Sequence, residues 1–82
     1  MQVDVRVLLK EGIADAEAET VKRSLNLLGI EVKDLKVSKV YSLFVDAESD
    51  EEAIKIAQEA CEKLLANPVI NNFEIEVKHD RT

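Results

Sequence analysis

The chain has 82 residues, of which 11 are Lys or Arg and 17 are Asp or Glu, giving a formal charge of −6 at pH 7. That length is read as one domain over residues 1–82, and its scattered bases argue against DNA or RNA as a partner, because nucleic-acid binding draws on clustered positive charge. A single cysteine, Cys61, rules out an internal disulfide, and with a single histidine, His79, no spacing resembles a zinc site.

Residues 2–10 alternate, with Val3, Val5, Val7 and Leu9 on one side and Gln2, Asp4, Arg6, Leu8 and Lys10 on the other, as in a half-buried strand. Gly12 breaks the pattern. Asp15 is placed to cap a helix over about Ala16–Leu28, with Glu17 and Glu19 in the first turn, where the helix dipole favours negative charge. Ala14, Ala18, Val21, Leu25 and Leu28 recur at helical spacing, and Gly29 stands where a left-handed residue closes a helix.

Residues 32–47 contain no Gly, Pro or Asn, so a tight hairpin has no turn chemistry there. A single long strand, bent or bulged near Ser38 and Lys39, fits as well as two short ones. The preferred phase reads Leu35, Val37, Lys39, Tyr41, Leu43 and Val45. Ser49 and Glu52 form a capping box for a second helix with a stripe of Ala53, Ile56, Ala57, Ala60, Cys61 and Leu64. Asn67-Pro68 ends that helix, and Phe73, Ile75 and Val77 alternate with charged residues as a last strand.

The order β-α-β(-β)-α-β predicts an α+β two-layer sandwich: a small, mostly antiparallel sheet with two helices on one face, ferredoxin-like if the middle strand splits. The opposite sheet face still carries Leu8, Val40 and Phe44. A chain this short hides only about 60–65% of its unfolded surface, so these three are read as an oligomer interface, for a homodimer or homotetramer. Lys39 interrupts the inner apolar row; it could snorkel past the helices, mark a bulge, or reach a carboxylate on a partner.

No active site is legible. The acidic run Asp46, Glu48, Asp50, Glu51 and Glu52 has no Gly at the position a calcium loop needs, and reads as a charged helix N-terminus. Cys61 on an apolar stripe reads as a packed thiol, and His79 as part of a solvated tail. Two glycines cannot build a phosphate-cradling loop, and with its single histidine read as part of a solvated tail the chain offers no Ser-His-Asp arrangement. No apolar run has membrane-spanning length and the N-terminus alternates instead of forming a signal sequence, so a cytoplasmic protein without membrane contact is expected.

Four sets of segments stand out: Leu64-Leu65-Ala66-Asn67-Pro68-Val69-Ile70 followed by Phe73-Glu74-Ile75-Glu76-Val77, Lys10-x-Gly12-Ile13-x-Asp15, Val37-x-Lys39 before Tyr41, and Glu52-Ala53 with Cys61-Glu62-Lys63-Leu64-Leu65. Together they resemble the PurS family, the small subunit of phosphoribosylformylglycinamidine synthase. Glu11 stands where the family pattern suggests Pro, and Ser38 where it suggests Gly. The resemblance implies a non-catalytic subunit that joins a PurL-type synthetase to a PurQ-type glutaminase in de novo purine synthesis and supports ammonia transfer between them. It implies that ATP, Mg and glutamine are used by the assembled complex and that none is bound by this chain. For partner docking, Lys39 and the loop Asn67, Pro68, Val69, Ile70 are the expected residues. A competing reading is a free-standing ferredoxin-like regulatory dimer that binds a small ligand at its interface, of which Gly12 after the first strand is a faint sign.

Overall fold

The computed structural model describes residues 1–79. In chain order its elements are β1 (Gln2–Leu9), α1 (Ala16–Leu27), β2 (Ser38–Phe44), α2 (Asp50–Ala60), a π-helical turn (Cys61–Leu65) and β3 (Asn71–Lys78). The three strands form one antiparallel sheet in the order β2-β1-β3. β1 is central, and its inner row is the most buried of the three: Val3 and Val5 are completely buried and Val7 nearly so. Each is flanked in register on both sides: Val3 by Leu43 and Val77, Val5 by Tyr41 and Ile75, Val7 by Lys39 and Phe73.

Both helices start where side-chain chemistry places them. The Asp15 carboxylate accepts from the Ala18 backbone N–H at 3.0 Å, and the Ser49 hydroxyl accepts from the Glu52 N–H at 3.2 Å. Glu52 reaches back to the Glu48 N–H at 3.1 Å, one residue before the cap, so a second free donor is satisfied. Gly29 has φ +84°, as a residue closing a helix in the left-handed conformation requires.

α2 lies on the inner face of β1 and β3, and Ala53, Ala57 and Cys61 disappear completely against the valines. Small side chains at these positions let the helix sit close to the sheet, and the core is correspondingly thin. Leu64, expected on the same stripe, is 83% exposed, while Leu65 packs on the core. The reason is the π-helical turn: Ala66 N–H bonds the carbonyl five residues back, at Cys61, and the wider turn rotates Leu64 out and Leu65 in.

The middle segment does not split. Only Ser38–Phe44 pairs with β1, in unbroken register, and 30–37 is an unpaired lead-in, so the sheet has three strands and the order is β-α-β-α-β. The α+β class and element order stand as read from the sequence. The placement of α1 adds something the stripe did not show: it makes no extensive contact with the sheet. Instead the chain runs out along α1, turns at Gly29 and returns through 30–37, tied by Ile30 N–H to the Leu25 carbonyl and Val32 N–H to the Asn26 side-chain oxygen. This arm gives the molecule Cα dimensions of 49 × 35 × 14 Å.

Candidate functional site

The outer face of the sheet is built in four rows, because side chains alternate along each strand. From one end they are Phe44, Gln2, Lys78; then Ser42, Asp4, Glu76; then Val40, Arg6, Glu74; then Ser38, Leu8, Asn72. Arg6 pairs with Glu74 at 3.5 Å, and Lys78 with Glu76 at 2.9 Å. The Gln2 amide donates to Asp4 at 3.0 Å. That bond, then the Ser42 hydroxyl, and more weakly the Lys78 charge hold the Asp4 carboxyl below its usual range against a small cost of burial. Leu8, Val40 and Phe44 are all on this face, as the alternation predicts. The structure does not join them into a patch: Phe44 (77% exposed) and Val40 (54%) stand about 13 Å apart along β2 with Ser42 between, and half-buried Leu8 lies at the far row.

At the loop end of the sheet, Lys39 opens the inner row Lys39–Val7–Phe73. The register of β2 is continuous through it, so it marks no bulge. Its side chain is exposed and forms no ion pair among the described residues. Two strands away, the Asn67–Ile70 loop is a tightly bonded turn. Asn67 accepts from Val69 N–H through its side chain and from Ile70 and Asn71 N–H through its carbonyl, at 2.7–3.1 Å. The Asn71 side chain accepts from Asn67 N–H at 2.9 Å and donates to the Leu8 carbonyl at 3.2 Å, while Lys10 N–H bonds the Ile70 carbonyl at 2.9 Å. Asn67 and Ile70 are therefore committed to the turn, and Pro68 and Val69 are the members left at its surface.

Sequence reasoning missed the arm. Its tip exposes Leu27, Leu28 and Ile30 together, and a half-open groove of about 930 Å³ runs between the start of α1, the returning strand near Leu35 and Val37, and the end of β1 at Leu8 and Leu9. The run Leu27-Leu28-Gly29-Ile30 was the available signal, since it widens the apolar arc beyond what one sheet can cover.

No group of three His, Cys, Asp or Glu side chains converges among the described residues. Cys61 is fully buried, and burial, then the neighbouring Glu62 charge, pushes its thiol up, away from the nucleophilic thiolate. His79 is solvent-exposed, as expected, and its Nε2 lies 3.1 Å from Asp50 at the start of α2. The arrangement offers surfaces for other proteins and no assembled reaction centre among these groups.

Comparison with known proteins agrees with the geometry. A family model described as PurS, phosphoribosylformylglycinamidine (FGAM) synthase, matches residues 2–79. The phosphoribosylformylglycinamidine synthase subunit PurS of Archaeoglobus fulgidus is 47% identical over 76 residues, covering 92% of this chain and 95% of the relative. That of Bacillus subtilis is 36% identical over 78 residues, covering 94% and 92%. Among solved structures, PurS of Methanocaldococcus jannaschii, one of the subunits of formylglycinamide ribonucleotide amidotransferase, superimposes with a TM-score of 0.88 at 36% identity over 98% of both chains. A chain of PurLQS from Thermotoga maritima superimposes with a TM-score of 0.83 at 34% identity, covering 92% of this chain and 93% of the other. This chain belongs to the PurS family.

Proposed function

We propose that this chain is a non-catalytic subunit of phosphoribosylformylglycinamidine synthase, acting in purine biosynthesis by docking a PurL-type synthetase and a PurQ-type glutaminase to each other. The observation that carries the reading is the match, over nearly its whole length, to a chain of the PurLQS complex. ATP, Mg and glutamine belong to the assembled complex, and this chain binds none of them. Its place is the cytoplasm, and no helix among the described residues is long and apolar enough to cross a membrane.

Its contribution is positional. Ammonia set free in water is diluted and protonated; holding the glutaminase against the synthetase raises its effective concentration at the acceptor. A rigid spacer serves that purpose, and self-association supplies rigidity that the thin core lacks. The arm and the groove at its base form the primary contact between copies, giving a homodimer, and Leu8, Val40 and Phe44 form a second contact that joins dimers into a homotetramer. Lys39, Pro68 and Val69, on the turn that Asn67 and Ile70 build, face the partner enzymes.

The test is reconstitution. Purified chain mixed with its cognate PurL-type and PurQ-type proteins should elute with both in a single species on gel filtration with light scattering. Co-elution of the two enzymes to the same extent without it would contradict the docking role.

A further inference from the structure

The end of α2 is a place where two backbone registers compete. At about 100° per residue, an α-helix continued past Cys61 would put Leu64 only about 20° from the mean direction of Ala53, Ala57 and Cys61, with Leu65 about 80° away. The π-helical turn reverses this: Leu65 packs on the core and Leu64 is 83% exposed. A π turn is locally unfavourable relative to α and occurs as single turns, often at functional sites. Here the sequence removes the usual reason for choosing between registers, because the two competing positions carry the same side chain. Either register delivers a leucine to one socket and leaves the other leucine in solvent.

We infer that Cys61–Leu65 is a two-register switch, in which a π-to-α change exchanges Leu65 for Leu64 in the core. The exchange has consequences on both sides. Cys61 stays buried as the pivot, since it precedes the change. Downstream, the α register winds in one residue fewer before Ala66, and the slack falls on the Asn67–Asn71 turn and so on the surface position of Val69. The four hydrogen bonds around Asn67 and the Asn71 tie to the Leu8 carbonyl are what hold the π register in this structure. A protein that grips Leu64 selects the π form, because it binds one state better than the other. This inference concerns the fold alone and does not depend on the enzyme complex.

The switch predicts a non-additive pair of substitutions. In a fixed π register, Leu65→Ala strips a partly buried leucine from the core and lowers the melting temperature of a domain this size by ~5 °C or more, while Leu64→Ala is silent in both backgrounds. In a two-register switch, Leu65→Ala is rescued by Leu64 and loses less than half of that, Leu64→Ala changes little, and the double variant loses well over the sum. Melting of the full chain at one fixed concentration reads this directly. Methyl contacts by nuclear Overhauser effect give a second readout: in Leu65→Ala, Leu64 should appear against Ala57 and Cys61. A full loss or failure to fold in Leu65→Ala alone, additive losses, or Leu64 remaining in solvent in that variant would each overturn the switch.

Discussion

Asn71 illustrates how much of this structure rests on single polar side chains at its corners. Its amide accepts from Asn67 N–H and donates to the Leu8 carbonyl, so it joins the turn before β3 to the end of β1. Asn71→Ala removes both bonds from a half-buried site and should cost about 1–3 kcal/mol in urea unfolding. Asp4 makes the corresponding statement about pH. Its carboxyl is held below the ordinary value of 3.8 by Gln2 and then Ser42. A depressed folded pKa contributes stability that is complete above the unfolded value and is lost as pH falls below it. Asp4→Asn should therefore be slightly less stable than the parent at pH 6, with the difference shrinking toward pH 3. A difference that grows on acidification would show that the carboxylate is not favoured by folding. Cys61, by contrast, contributes by packing alone, as its place between Ala57 and the valines of β1 requires.

Among the elements, those governed by local rules were legible in advance and those governed by tertiary context were not. β1 and β3 follow from alternation, and both helix starts follow from a capping side chain three residues before the N–H it accepts from. The Ser49 cap should be worth about 1 kcal/mol, so Ser49→Ala lowers stability by that amount and Ser49→Asp restores most of it, measured by thermal or urea unfolding. The apolar stripe of α2 was read correctly as far as Cys61 and failed at Leu64, because helical arithmetic assumes that the helix stays α. The residues 32–37 have strand composition but run past the end of β1, which stops at Leu9 with Leu8 already opposite Ser38. Side-chain alternation could place Leu8, Val40 and Phe44 on one face; it could not show which of them are cross-strand neighbours, which needs the register between strands.

The whole molecule is extended for its length. For 82 residues a compact domain has a radius of gyration of about 12 Å, against 16.1 Å for the Cα atoms here. The excess is the arm, whose Leu27, Leu28 and Ile30 are exposed while Tyr41 and Leu43 on the inner face of β2 are only partly covered. The self-association proposed above would cover the apolar surface left on both the arm and the sheet. Leu28→Asp should break the primary contact and lower the mass in sedimentation velocity. Phe44→Asp should break only the outer-face contact and leave a dimer. Unchanged masses in both variants would place self-association on neither surface.

Coupling two enzymes without carrying chemistry of its own is the role proposed for the whole molecule. The most direct measurement is amidine product formation by the cognate synthetase and glutaminase, with and without this protein, comparing glutamine with ammonium chloride as nitrogen source. The glutamine-driven reaction is expected to require this protein, and the ammonia-driven reaction by the synthetase is expected to proceed without it. Equal rates with and without it on both nitrogen sources would contradict the coupling role.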